Sequence, residues 1–227
     1  MEIKIGICIP FRSKVTLGWA STIANIIAST PYPMEIVLSK HYGIDLARND
    51  LVMSAKNRNC THILFLDTDI LPHMYINKTF TPFFTFINHL LEFDYPIISG
   101  IYYSKIGNLA IYQYTHDENK PFDFVKETFE DYAEKVRYVD GVPMGLCFIN
   151  MKIFDELKDK GYFPWFEYKV EYEKKRMISE DLNFCLKLLK VFGEKYIMVW
   201  GHLVGLHETS MLLYPDGKTT YHIFGEY

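Results

Sequence analysis

Apolar side chains alternate along Ile3, Ile5, Ile7 and Ile9, which predicts a first strand that Pro10 ends. Trp19, Ala20, Ile23, Ala24 and Ile27 then recur at helical spacing, predicting an amphipathic helix over 16–28, with Pro31 and Pro33 beyond it. Residues 35–38 read as a second strand. Ile44, Ala47, Leu51 and Ala55 mark one face of a helix over 45–59. Ile63, Leu64, Phe65 and Leu66 then form an unbroken apolar run that ends in Asp67-Thr68-Asp69. A run this short, with polar flanks, reads as a strand buried on both faces of a parallel sheet. Strand, helix, strand, helix, strand is the pattern of a parallel sheet wrapped by helices, with right-handed crossovers.

Further along, Phe80, Phe83, Phe84, Ile87, Leu90 and Leu91 fall at three- and four-residue intervals and predict a helix, with Pro72 ending the acidic turn before it. Strands are predicted over 95–100, 109–114, 136–139 and 146–149, with a charged surface excursion over 117–135 and a short helix over 152–160 closed by Gly161. Ser179 suits a helix N-cap, and Glu180 and Asp181 suit its positive end. Ile178, Leu182, Cys185 and Leu189 give that helix its buried face. A last core strand is predicted over 196–199, a glycine-flanked loop over 201–208, and a hairpin over 211–224 around Pro215-Asp216-Gly217.

Composition narrows this frame. At 227 residues, 49% of them apolar, the chain reads as a single domain, residues 1–227. A net charge of -4 gives no electrostatic case for nucleic acid. Cys8, Cys60, Cys147 and Cys185 are scattered and read as reduced buried thiols, hence a cytoplasmic setting without a zinc site. The N-terminus shows no signal-peptide pattern. The most apolar region, 80–103, is broken by His89, Glu92 and Asp94 and is not a membrane span.

The candidate chemistry starts at the exit of the buried strand. Ligands of parallel sheets bind outside the carboxyl ends of the strands. Asp67 and Asp69 stand there, and paired hard oxygens suit Mg2+ or Mn2+ carrying substrate phosphates. The plain alternative is a cap and a solvated acid. His207 is the candidate imidazole for the same ion, while His202 reads as structural. Arg48, Arg12 and Lys14 offer positive charge to a diphosphate, although Arg48 could instead pair with Asp45 or Asp50 on its own helix. Asp181, ionised at a helix N-terminus, could take a proton from an attacking hydroxyl, or Ser179-Glu180-Asp181 could be only a capping cluster. Trp165, Phe166 and Tyr168 could stack on a sugar ring, or be a hydrophobic loop packed on the core.

Taken in order, Ala47-Arg48-Asn49, Asp67-Thr68-Asp69, Asp140-Gly141 leading to Gly145 and an apolar strand, Ser179-Glu180-Asp181, and a late His207 resemble a GT-A glycosyltransferase of the nucleotide-sugar-dependent, Asp-x-Asp, family-2-like kind. The resemblance implies an α/β fold: a mixed, mostly parallel, Rossmann-like central sheet with helices on both faces and a C-terminal hairpin. It implies a nucleotide-sugar-binding half over about 1–100, an acceptor-binding half over about 101–208 and a hairpin tail over 209–227. The implied reaction moves a single hexosyl-type sugar from a nucleotide-diphosphate sugar to an acceptor hydroxyl on a glycan, lipid-linked or protein acceptor, with inversion. Asp69 and Asp67 would contact Mn2+ or Mg2+ and the sugar or ribose, and His207 would complete the metal shell. Pro10 and Phe11 would line the nucleotide pocket with Arg12, Arg48, Asp67 and Asp69. Asp181 would be the base and Glu180 would hold acceptor hydroxyls, beside an acceptor-side loop over 162–177. Leu38-Ser39-Lys40-His41 stands where many members carry an Asp-Gly-Ser-like base contact. The Gln-x-x-Arg-Trp of processive synthases is absent. Alternatives are a nucleotidyltransferase, whose glycine-rich loop after the first strand is missing here, and a non-catalytic nucleotide- or carbohydrate-binding module.

Overall fold

The protein is described from a computed structural model, over residues 2–11, 15–40, 43–104, 107–171, 176–208, 210–213 and 219–222. The chain begins with β1 (Ile5–Pro10), α1 (Leu17–Ser29), β2 (Met34–Ser39), α2 (Ile44–Asn57) and β3 (His62–Leu66). Next come β4 (Ile70–Ile76), β5 (Thr79–Pro82), α3 (Phe86–Glu92), β6 (Ile97–Ile101), β7 (Tyr112–Tyr114), β8 (Phe122–Phe124) and α4 (Phe129–Tyr132). The remainder comprises β9 (Val136–Val139), β10 (Leu146–Asn150), α5 (Lys152–Asp159), β11 (Lys169–Glu171), β12 (Arg176–Ile178), α6 (Glu180–Phe192), β13 (Ile197–His207), β14 (Ser210–Leu213) and β15 (Thr219–His222).

The central sheet runs β2-β1-β3-β10-β6-β13-β4-β5, with β9 added beside β13. β2, β1 and β3 are parallel neighbours, and β6 and β13 are parallel to each other. β10 is antiparallel to both β3 and β6, so those five strands all point the same way. The fold is thus the expected mixed, mostly parallel α/β sheet.

Strand alternation distributes the apolar residues between two cores. Ile5, Ile7, Ile9, Leu64 and Leu66 join Trp19, Ile23 and Ile26 of α1 and Phe86, Ile87 and Leu90 of α3. Cys8, Ile63 and Phe65 face the other way, onto Leu51, Val52 and Ala55 of α2, Phe154 of α5 and Phe184 of α6. Both strand faces are covered, which is why the sequence shows an apolar run at 63–66 rather than alternation. All four cysteines are free and buried.

The strand order reverses at β1: the chain steps from β1 to β2, then back past β1 to β3. Right-handed crossovers in opposite directions put α1 and α2 on opposite faces, and they open a crevice at the carboxyl ends of β1 and β3. That rim is where site residues collect.

Several expectations change. Residues 80–82 lie in β5, paired with β4, so the helical spacing from Phe80 overstates the helix; α3 covers only Phe86–Glu92. Pro72 lies within β4. The last core strand runs on to His207, so 201–207 is not a loop. The C-terminal hairpin exists as β14 paired with β15, its proposed turn at 215–217 lying outside the described residues. Among the described residues no helix is long and apolar enough to cross a membrane.

Candidate active site

The described candidate site residues from the strand ends collect at one rim of the sheet. β1, β3, β6 and β13 deliver Pro10, Asp67, Tyr102 and His207 there at their carboxyl ends. The antiparallel strands β4 and β10 begin at the same rim, preceded by Asp69 and by Met144-Gly145.

Arg48 lies at the centre. It sits in the second turn of α2, is 2% exposed, and lies over the Phe65 ring. Its Nε is 3.0 Å from Asp181 Oδ1 and 3.5 Å from Glu180 Oε1, and its Nη2 is 3.6 Å from Asp67 Oδ1. Burial opposes its charge, but the carboxylates of Asp181, Asp67 and Glu180 outweigh burial and raise its pKa. Pairing within its own helix is therefore not the arrangement found. Its Nη1 is buried without a hydrogen-bond partner.

Two further carboxyls meet this cation. Ser179 caps α6 by accepting from Leu182 N at 3.4 Å, which places Glu180 and Asp181 in the first turn. Asp181 Oδ2 accepts from Met144 N at 3.1 Å. Burial raises the Asp181 pKa, opposed by Arg48 and reinforced by Glu180 and Asp67. Burial here overrides the helix-end effect that alone would favour the anion. The Asp67 carboxyl is raised for the same first reason, with Arg48 opposing and Asp69 adding to the rise.

The end of β3 is pinned by its backbone. Asp67 N donates to Gly145 O at 2.9 Å, and the Trp19 indole donates to Asp67 O at 2.9 Å. Asp69 O accepts from Glu208 N at 2.8 Å, which draws the end of β13 against it. His207 Nδ1 thereby comes to 3.7 Å from Asp69 Oδ2, while its Nε2 is buried without a partner. Glu208 itself accepts from the Thr16 hydroxyl at the N-terminus of α1.

The residues expected to hold a metal, Asp67, Asp69 and His207, thus lie at one rim with Glu180 and Asp181. Among the described residues, no group of three or more His, Cys, Asp or Glu side chains is arranged to enclose an ion. A pair such as Asp69 and His207 still suits a cation that keeps most of its positions for phosphate oxygens and water, as Mg2+ and Mn2+ do. His207 turns Nδ1 towards Asp69 Oδ2, so an ion shared by the two would be held by that nitrogen and that carboxylate.

Pro10 ends β1, paired with Ser39, and Phe11 N donates to Ser39 O at 2.8 Å beside the Lys40 ammonium. Arg12 and Lys14 lie outside the described residues. Trp165 and Phe166 are 2% and 0% exposed, so they are core and cannot stack on a sugar; Tyr168, 38% exposed, remains available. Tyr168 lies against Glu180, and its pKa is raised to about 12 by burial and by that carboxylate. His202 is structural, with Nδ1 3.2 Å from Tyr75 O.

Asn49 and Tyr102 had no assigned role in the sequence. Asn49 Oδ1 accepts from Trp165 N and Phe166 N at 3.0 and 3.1 Å, and its Nδ2 donates to Phe166 O at 2.6 Å. It ties the aromatic loop to α2. Tyr102 accepts from Gly145 N at 3.0 Å. Its position just past the apolar strand β6 is the same signal that singled out Asp67.

No protein-family model matches the chain, and no curated protein matches it in sequence. Among solved structures, A197 from STIV is similar with a TM-score of 0.58 and 19% identity, over 96% of this chain and 93% of that one. At that identity the likeness is one of fold, and it extends over nearly the whole of both chains.

Proposed function

We propose that the chain is a metal-dependent glycosyltransferase that moves one sugar from a nucleotide-diphosphate sugar to an acceptor hydroxyl, with inversion. The observation that carries this reading is the convergence of Asp67, Glu180 and Asp181 around Arg48, with the Asp69–His207 pair at the same rim of a mixed sheet.

Asp69 and His207 would hold Mn2+ or Mg2+, with Asp67 beside them. A divalent cation, when bound, stabilises the charge that develops on the leaving diphosphate. Pro10 and Phe11 would border the nucleotide, and Tyr168 would offer a face to a sugar. Asp181 would accept the acceptor hydroxyl's proton as its oxygen bonds to the anomeric carbon and the bond to the phosphate oxygen breaks. A carboxyl whose pKa is raised towards the working pH is a better base than an ordinary one. Arg48, already engaged by acidic groups, would serve as their counterion rather than as a diphosphate clamp.

A thermal-shift screen of nucleoside diphosphates and nucleotide sugars, with and without Mn2+, tests this reading. A ligand at 100 times its Kd adds about 2.7 kcal/mol of stability. The expected result is a Mn2+-dependent rise for at least one nucleotide, lost in Asp69→Ala. A flat response across the panel removes the proposal. Donor binding and wild-type biological effect retained in Asp181→Asn would indicate a binding module instead.

A further inference from the structure

We propose that Tyr102 is a positioning residue of this site, one that sets the imidazole plane of His207 and the end of β3. The inference rests on the metal reading given above for Asp69 and His207.

Tyr102 follows β6 directly and is 7% exposed. Its ring meets the His207 ring edge-to-face, with centroids 5.6 Å apart and planes at 71°. Its hydroxyl accepts from Gly145 N, while Gly145 O accepts from Asp67 N. The adjoining amide, Met144 N, donates to Asp181 Oδ2. A single peptide segment therefore links Tyr102, the backbone of Asp67 and the side chain of Asp181.

Gly145 makes room for the phenol, and Gly205 lets β13 pass close to Ile70 beside it. A Cβ on Gly145 would lie 2.7 Å from the Tyr102 hydroxyl and 2.9 Å from Asp67 Oδ2. A Cβ on Gly205 would lie 3.4 Å from Tyr102 Cβ and 2.8 Å from Ile70 Cγ2. The phenol hydroxyl thus occupies the space a side chain at position 145 would fill, held there by the Gly145 amide. His207, fixed on one edge by Tyr102 and facing Asp69 with Nδ1, has its plane determined by its neighbours. Fixing the plane of a metal-binding imidazole is a task that residues around a metal site commonly perform.

The test is Mn2+ binding followed by electron paramagnetic resonance, beside thermal melts, on wild type, Tyr102→Leu, Tyr102→Phe, Gly145→Ala and His207→Ala. Tyr102→Leu removes the ring contact and is expected to weaken Mn2+ affinity about tenfold. Tyr102→Phe keeps the ring against His207 and is expected to retain near-wild-type affinity even if it melts lower. Gly145→Ala crowds both the phenol and Asp67 Oδ2 and is expected to weaken Mn2+ binding as well. If Tyr102→Leu does not fold, Tyr102→Met, which fills the space without an aromatic edge, decides the matter, weakened affinity supporting the role and wild-type affinity overturning it. A merely structural tyrosine would lower the melting temperature and leave Mn2+ affinity unchanged. Wild-type affinity in folded Tyr102→Leu or Gly145→Ala overturns the positioning role alone, provided His207→Ala still loses Mn2+. A wild-type chain that takes up no Mn2+ overturns the metal reading and this role with it.

Discussion

Arg48 and Asp181 define the site at the scale of single residues. The guanidinium is almost fully buried and serves several carboxylates, so removing it leaves negative charges without a counterion. Arg48→Met is expected to cost about 3–5 kcal/mol, the usual penalty for breaking a buried charge pair from one side. Urea unfolding checks this, and a loss under 1 kcal/mol would show that the acids rearrange or protonate freely. Asp181 makes a prediction with a pH sign. Its carboxyl is raised by burial more than Arg48 lowers it, whereas in the unfolded chain an aspartate titrates near ~3.9. Its contribution to stability is therefore full below the unfolded value and lost as pH rises through the folded value. Asp181→Asn cannot ionise, so its melting temperature relative to wild type should climb from the unfolded value near ~3.9 up to the folded value of about 8 and level off above it. A difference independent of pH would mean that the carboxyl is not perturbed. Turnover should fall in the same variant, because asparagine accepts no proton.

Elements show where sequence patterning succeeds and where it misleads. β1, α1, β2, α2 and β3 were legible because each strand sits between two apolar layers and each helix shows one apolar face. Ser179 was legible as a cap from local chemistry alone. The β4-β5 hairpin was not legible, because Phe80, Phe83, Phe84 and Ile87 fit a helical period while residues 80–82 in fact pair across an edge. β13 was cut short for a different reason: Gly201 and Gly205 read as loop signals but mark close approaches. A Cβ on Gly201 would lie within bonding range of Tyr132 O, so the strand passes α4 only without a side chain. Gly201→Ala is expected to destabilise by about 1–3 kcal/mol, as overpacking does, and a neutral result in thermal melts would show that α4 yields. Asn49 makes the matching prediction for α2. Its side chain serves Trp165 N, Phe166 N and Phe166 O. Asn49→Ala orphans these buried groups, and about 3 kcal/mol of stability should go with them.

Viewed whole, the molecule concentrates its chemistry at one end of the sheet. The candidate site was legible in part for this reason: residues that follow parallel strands must share a rim, so Asp67 and Asp69 could be placed from the chain order alone. The way Arg48, Asp67, Glu180 and Asp181 meet was not legible, because sequence gives no distance between α2, the end of β3 and the start of α6. Tyr102 was missed because an aromatic residue beside an apolar strand looks like core. The opposite end of the sheet has different content. There His62 stacks on Phe148 at 5.2 Å, and burial lowers its pKa, which favours the neutral ring of a packed core. This polarity gives a prediction that needs no knowledge of the sugar. Amide hydrogen exchange, with and without Mn2+ and a nucleoside diphosphate that raises the melting temperature, should slow at Asp67 to Ile70, at Met144 and Gly145, and at Leu206 to Glu208. These amides either end strands at the candidate rim or hold it together, and a ligand bound there would suppress their local opening. Amides at Thr61, His62 and Met151 lie at the other end and should change only by the global stabilisation. Protection centred on His62 and Met151 would place the ligand across the sheet and remove the acidic rim from the reaction.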